Sequence, residues 1–290
     1  MTSANQNPIY DATNYCYLSE NFAPSYRATQ IHKMINDKNK NITIQDMMDM
    51  QLDNTYLFAE STLPVLLSII EDRVIFDSLP EDSPVNIWFK ILTKWNYEYN
   101  KTSIAPTFFD EWVTDIEKNT WGDDLINTVW PGINKLESLI VSSPDSRWFD
   151  INNTPEKETL IDICNMSFDN IIEKLSGKTD FELEWQNYRG TDILHLAKIS
   201  PFSSLDLQTS GSENIVNATR KHEGPSLRYI IEMSQPYKIK SIYPGGQSGY
   251  PGSIHYDQFI QDWVDGNYYD LKFKDINQFT GNELQCLPSR

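Results

Sequence analysis

The chain has 290 residues, 39% of them hydrophobic, with 8 Trp, 13 Phe and 15 Tyr, which is enough apolar surface for a large core and too much for a disordered protein. Its formal net charge of −17 weighs against nucleic acid or anionic membrane as partners, since both are engaged through basic patches. No apolar run approaches the roughly 18 residues that span a bilayer, and the first residues have neither the basic nor the apolar region of an export signal.

Thr43-Ile44-Gln45-Asp46 reads as a capping box. Apolar residues follow at helical spacing from Ile44 through Leu63, Leu66 and Ile70, which predicts one long amphipathic helix, kinked or split at Pro64 because proline removes a backbone hydrogen bond and crowds the preceding turn. Phe108, Phe109, Trp112, Val113 and Ile116 share a second helical face. Ile133, Leu136, Leu139 and Ile140 share a third, after a break at Trp130-Pro131-Gly132. Thr154-Pro155 reads as a helix start, and a stripe from Leu160 to Leu175 runs to a stop at Gly177.

Past residue 185 apolar residues cluster in short runs between turn residues, and the chain reads as β-rich. Strands are expected at Asn214–Ala218, Leu227–Met233, Ile239–Tyr243 and Tyr268–Phe273, with a hairpin at Ser234-Gln235-Pro236. Residues 1–184 and 185–290 are read as two textures of one structural unit of class α+β. The stretch from Tyr243 to Tyr256 is dense in glycine and proline, and so specifies a rigid path. A buried His255 is expected within it.

Familiar catalytic signatures are missing: there is no P-loop, dinucleotide fingerprint, HExxH or GxSxG. His32, His195, His222 and His255 are too scattered for metal-ligand spacing. Cys16, Cys164 and Cys286 form no CxxC pair and are odd in number, so packing is their expected role.

Two groups of motifs, one near each end, resemble the penicillin acylase family. Gly224-Pro225-Ser226-Leu227-Arg228, then Tyr243 to Asp257 with its Pro-Gly-Gly-Gln-Ser-Gly core, then Trp263 to Phe273, look like the close of that family's large chain. Gly211 to Ala218 is similar to the glycine-led strand that precedes them. Near the other end, Ser3-Ala4-Asn5-Gln6-Asn7-Pro8 and Pro24-Ser25-Tyr26-Arg27-Ala28-Thr29-Gln30-Ile31 resemble the family's Ala-Asn-Asn and Tyr-Arg-Ala motifs.

The resemblance implies the C-terminal portion of an N-terminal-nucleophile hydrolase with a four-layer αββα sandwich. It implies hydrolysis of a small-molecule amide, such as a β-lactam or an acyl-homoserine lactone, by a Ser at the start of the large chain. That Ser would be supplied, with the small chain, by an upstream part of the same enzyme, so this chain alone is expected to be inactive. Asn5 corresponds to the oxyanion-hole asparagine and Arg27 to an arginine that orients polar groups around it. No catalytic cofactor is implied. A structural calcium is, with most of its ligands upstream and Asp11 the sole guess here. The family also implies a periplasmic or secreted enzyme of antibiotic metabolism. Gln6 and Gln30 depart from the pattern, standing where a second Asn and a second Arg are usual, as do Gln258 and Phe259, and these leave acyl specificity open. Thr2 is set aside as a substitute nucleophile, because it shares one segment with Asn5. A non-catalytic remnant or secreted binding module is the alternative, to be recognised by exposed Trp side chains around a groove.

Overall fold

A computed structural model describes residues 2–8, 22–38 and 41–271. Contacts group the chain into two compact units, Met1–Pro225 and Ser226–Arg290, a division that falls later than the change of texture near residue 185.

In the first unit α1 (Tyr26–Lys38) is followed by α2 (Ile44–Gln51), whose start is the expected capping box: Asp46 N donates to Thr43 Oγ1 at 3.1 Å and Thr43 N donates to Asp46 Oδ2 at 2.9 Å. The expected long helix is interrupted after Gln51 and resumes as α3 (Leu57–Phe76). The cause of the break is Asp53. Its carboxylate accepts from Thr55 N at 3.2 Å and Thr55 Oγ1 at 3.1 Å, a local turn that competes with the helix. The freed backbone then pairs with a neighbouring strand-like segment, Tyr56 N donating to Tyr97 O at 3.0 Å and Tyr99 N to Asn54 O at 2.9 Å. Pro64 lies inside a continuous α3. Its cost of about 3 kcal/mol is outweighed by the burial of Phe58, Leu63, Leu66 and Ile70, each worth about 1.5–3 kcal/mol.

Next come α4 (Pro84–Thr93), with Pro84 in its first turn and Ser83 as cap, α5 (Ala105–Trp121) and α6 (Ile133–Ser142). α7 spans Leu160–Leu175 and starts later than Thr154-Pro155 suggested. The second threonine wins because Asp162 closes a capping box on it, Thr159 N donating to Asp162 Oδ2 at 2.8 Å, while Thr154 spends its hydroxyl on Ile151 O, Glu156 O and Glu158. The predicted apolar faces of α5 and α7 meet. Phe168 packs against Phe108 and Trp112 with ring centroids 4.8 Å away in each case, and Trp112 Nε1 donates to Cys164 O at 3.2 Å. Cys164 is a buried free thiol, in the packing role expected; Cys16 and Cys286 lie outside the described residues.

Short helices α8 (Asp180–Leu183) and α9 (Trp185–Tyr188) lead into strands β1 (Thr191–Ile193) and β2 (Ser204–Leu207), paired antiparallel. The strand expected at Asn214–Ala218 does not form. Ala218 N donates to Val216 O at 2.9 Å and Thr219 N to Asn217 O at 2.8 Å, tight turns that leave no ladder to join, while Ile215 enters the core.

In the second unit β3 (Arg228–Glu232), β4 (Lys238–Ile242) and β5 (Tyr269–Leu271) form an antiparallel sheet in that order, with α10 (Ile260–Asp265) between the last two in sequence. The Ser234–Pro236 hairpin holds, with Glu232 opposite Lys238. The last strand stops short of Phe273, which lies outside the described residues. In the Gly-rich stretch a Cβ on Gly246 would lie 2.1 Å from His255 O and 2.5 Å from Tyr256 O, so only glycine allows these two backbone segments to approach. His255 is exposed, contrary to expectation. The carbonyl of His255, which accepts from Ser248 N at 3.1 Å, is the part that closes the loop. All five strands among the described residues follow residue 190, so the chain is α+β with its helices first.

Candidate functional site

Tyr26 anchors the start of α1. It is buried, its hydroxyl donates to Glu137 Oε2 at 2.5 Å, and its ring stands edge-on to Tyr56 and Phe58 at 6.2 and 6.1 Å. The first turn of the helix is thereby fixed, and Arg27, next in sequence, meets the segment at Ala4 and Asn5. Arg27 Nη2 donates to Asn5 Oδ1 at 2.9 Å and to Ala4 O at 3.1 Å.

Asn5 adopts φ 66°, a left-handed conformation that asparagine tolerates better than most residues. Ala23 N donates to Asn5 O at 2.9 Å, and Gln6 Oε1 accepts from Ala4 N at 2.7 Å. Guanidinium has donors only, so the oxygen of the Asn5 amide must face Arg27 and the Nδ2 donors face away. Among the described residues those donors have no partner, and Asn5 is exposed. The two residues singled out from the sequence are therefore in direct contact.

Burial lowers the pKa of Arg27, with Arg220 adding to the effect and Glu213 opposing it; an arginine remains charged all the same. Gln30, on the same helix, is buried and donates from Nε2 to Asp53 Oδ1 at 3.2 Å. Burial raises the Asp53 pKa, against the pull of its hydrogen bonds from Thr55 and Gln30. Thr2 Oγ1 lies 2.6 Å from His32 Nε2. Asp11 lies outside the described residues, and among those described no three acidic, His or Cys side chains converge to hold a metal.

Sequence reasoning missed a cavity of about 530 Å³ whose lining includes Pro24, Tyr56, Tyr99, Asp110, Arg189 and Glu213. The one legible signal was Asp110, a carboxylate between Phe109 and Trp112 on the buried side of α5. Burial pushes this carboxyl up to about 6, with Arg189 opposing. Arg189 is held by Thr219 O at 3.0 Å, Gly211 O at 3.1 Å and Thr219 Oγ1 at 3.1 Å, and its guanidinium lies 4.5 Å from the Trp185 ring centroid.

With this geometry in hand, comparison decides the family: the model described as penicillin amidase matches residues 1–278. The chain belongs to the penicillin amidase family. A thermostable penicillin G acylase from Alcaligenes faecalis has a similar fold, with a TM-score of 0.56 and 12% identity, over 99% of this chain and 57% of that one. The chain thus spans little more than half the length of that acylase chain. No curated protein matches it in sequence. Membership makes it part of a hydrolase family, as the motifs at the two ends implied. No described helix of the chain is long and apolar enough to cross a membrane.

Proposed function

We propose that this chain is the oxyanion-binding part of an amidase that cleaves an acyl group from an amine, and that an upstream part of the same enzyme supplies the nucleophile. The observation that carries the reading is the 2.9 Å bond from Arg27 to Asn5 Oδ1, which holds the amide with its donors turned outward. In this reading the hydroxyl of the upstream part's N-terminal Ser attacks the amide carbonyl and passes its proton to the α-amine of that same Ser. The carbonyl oxygen becomes an anion and accepts a hydrogen bond from Asn5 Nδ2. The C–N bond then breaks, the amine departs with that proton, and water hydrolyses the acyl ester. Removing an oxyanion donor of this kind costs about 2.7–4 kcal/mol of transition-state stabilisation.

β-Lactams and acyl-homoserine lactones are the proposed substrates, which would make this an enzyme of antibiotic metabolism or signal turnover, exported to the periplasm or beyond. No step passes through a metal, and most ligands of a structural calcium are proposed to lie upstream. The binding-module reading called for exposed tryptophans around a groove. Instead Trp95, Trp112, Trp121, Trp185 and Trp263 are buried and Trp130 is the single exposed tryptophan, which is not a groove of exposed tryptophans, and no specific observation favours that alternative. The test is a chromogenic acyl-amide assay on the chain alone and on the chain co-expressed with an upstream half carrying an N-terminal Ser. Turnover by the assembled pair and none by the isolated chain is expected; robust turnover by the 290-residue chain alone would overturn the reading.

A further inference from the structure

The cavity lined by Tyr56, by α5 and by the loop around Asn214 takes no part in the proposed reaction, and two of its carboxylates lack an ion pair. Its cations are already engaged. Arg220 pairs with Glu213 at 3.0 Å and also with Glu223. Lys221 pairs with Asp192 at 3.3 Å and Asp206 at 2.9 Å. Arg189 donates from Nη1 and Nη2 to Gly211 and Thr219 and lies over Trp185, while its buried Nε has no partner among the described residues.

Two carboxylates are left over. Asp110 and Glu117 lie seven residues apart on α5, and so on one face of the helix, and both line the cavity. Among the described residues neither makes an ion pair, and the closest polar partner of Asp110 is the Tyr99 hydroxyl at 3.5 Å. Burial is the first cause of the raised pKa of each. A half-buried carboxylate without a direct ion pair is costly, even with the charge of Arg189 acting on Asp110, and these two sit in a space large enough to admit a cation. Between and around them the walls are Tyr56, Tyr99, Phe109, Val113 and Ile133, the first two edge-on to each other at 5.4 Å. Aromatic faces attract cations, and apolar walls accept the body of an amine. A seven-residue spacing puts the two carboxylate-bearing backbone positions about 10 Å apart, too far for a single metal ion to be held by both.

We propose that this cavity binds a small organic ammonium with an apolar body, its charge held by Asp110 within the field of Glu117 and its body against Tyr56, Tyr99 and Phe109. The proposal does not rest on the amidase reading, because every described lining residue belongs to the first unit and none is assigned to the reaction.

Isothermal titration of the chain with benzylamine at pH 7.5 tests it, with benzyl alcohol and benzoate as neutral and anionic counterparts of the same shape. Saturable binding of benzylamine is expected, with no binding of the other two. D110N should weaken benzylamine by about tenfold or more, and E117Q, on the partly exposed side chain, should weaken it by a smaller factor with the circular dichroism spectrum unchanged. Absence of benzylamine binding, preferential binding of benzoate, or benzylamine affinity unaltered in both variants would each overturn the assignment.

Discussion

At the scale of single residues, Asn5 and Arg27 divide two tasks. Asn5 offers donors, and Arg27 fixes which way they point by occupying the amide oxygen. N5A in the assembled enzyme is therefore expected to lower kcat by about 10²–10³ and to cost about 1 kcal/mol of stability, because alanine tolerates the left-handed backbone at this position less well than asparagine, as read by steady-state kinetics and a melting curve. R27K keeps the charge and loses the planar fork of donors. It should lower kcat with little change in KM, because the Asn5 amide is released to rotate. Asp110 gives a prediction in pH. Its carboxyl ordinarily titrates near 3.8, and burial raises it to about 6 against the pull of Arg189. Between those values the folded state holds a proton that the unfolded state has lost, so this group makes stability fall as pH rises through the window and contributes no further slope above it. D110N removes that slope. The variant should melt higher than the parent at pH 7.5, with the gain gone at pH 4; a variant less stable at pH 7.5 would show that the ionised carboxylate is needed for folding.

At the scale of elements, boundaries were set by side chains that compete for backbone groups. The start of α2 could be read from Thr43 and Asp46 because a capping box is local. The end of α2 could not, because apolar residues continue at helical spacing through the segment where Asp53 binds Thr55 and diverts the chain. α7 repeats the lesson: Thr154-Pro155 and Thr159 with Asp162 both look like starts, and the second carries the reciprocal bonds. T159A should cost about 1 kcal/mol in chemical denaturation. β3 and β4 were legible from their alternation and the turn between them, whereas β1 and β2 are only three and four residues long and their pairing is set by contacts remote in sequence. In the glycine-rich stretch G246A should destabilise the second unit by more than about 2 kcal/mol, because the clash is with backbone on two successive residues. Proteolysis within residues 243–256 would report it.

At the scale of the whole molecule, the motifs at the two ends serve different purposes. The Tyr243–Tyr256 stretch carries the resemblance to the family and builds a turn in the second unit; the chemistry is proposed for Asn5 and Arg27 in the first. The family was legible because both motif groups are contiguous in sequence. The cavity was not, since Tyr56, Tyr99, Asp110, Arg189 and Glu213 come from separate segments that only the fold brings together. The chain matches 57% of a penicillin G acylase chain, and the proposal makes Asn5 its oxyanion donor and assigns the nucleophile to an upstream part. The most direct test is the rate of acyl-amide hydrolysis by the chain co-expressed with its upstream half, measured for the parent and for N5A at equal assembled protein. The account predicts turnover in the parent pair, none in either half alone, and a loss of about 10²–10³ in kcat for N5A. Equal rates for parent and N5A in a fully assembled enzyme would contradict it.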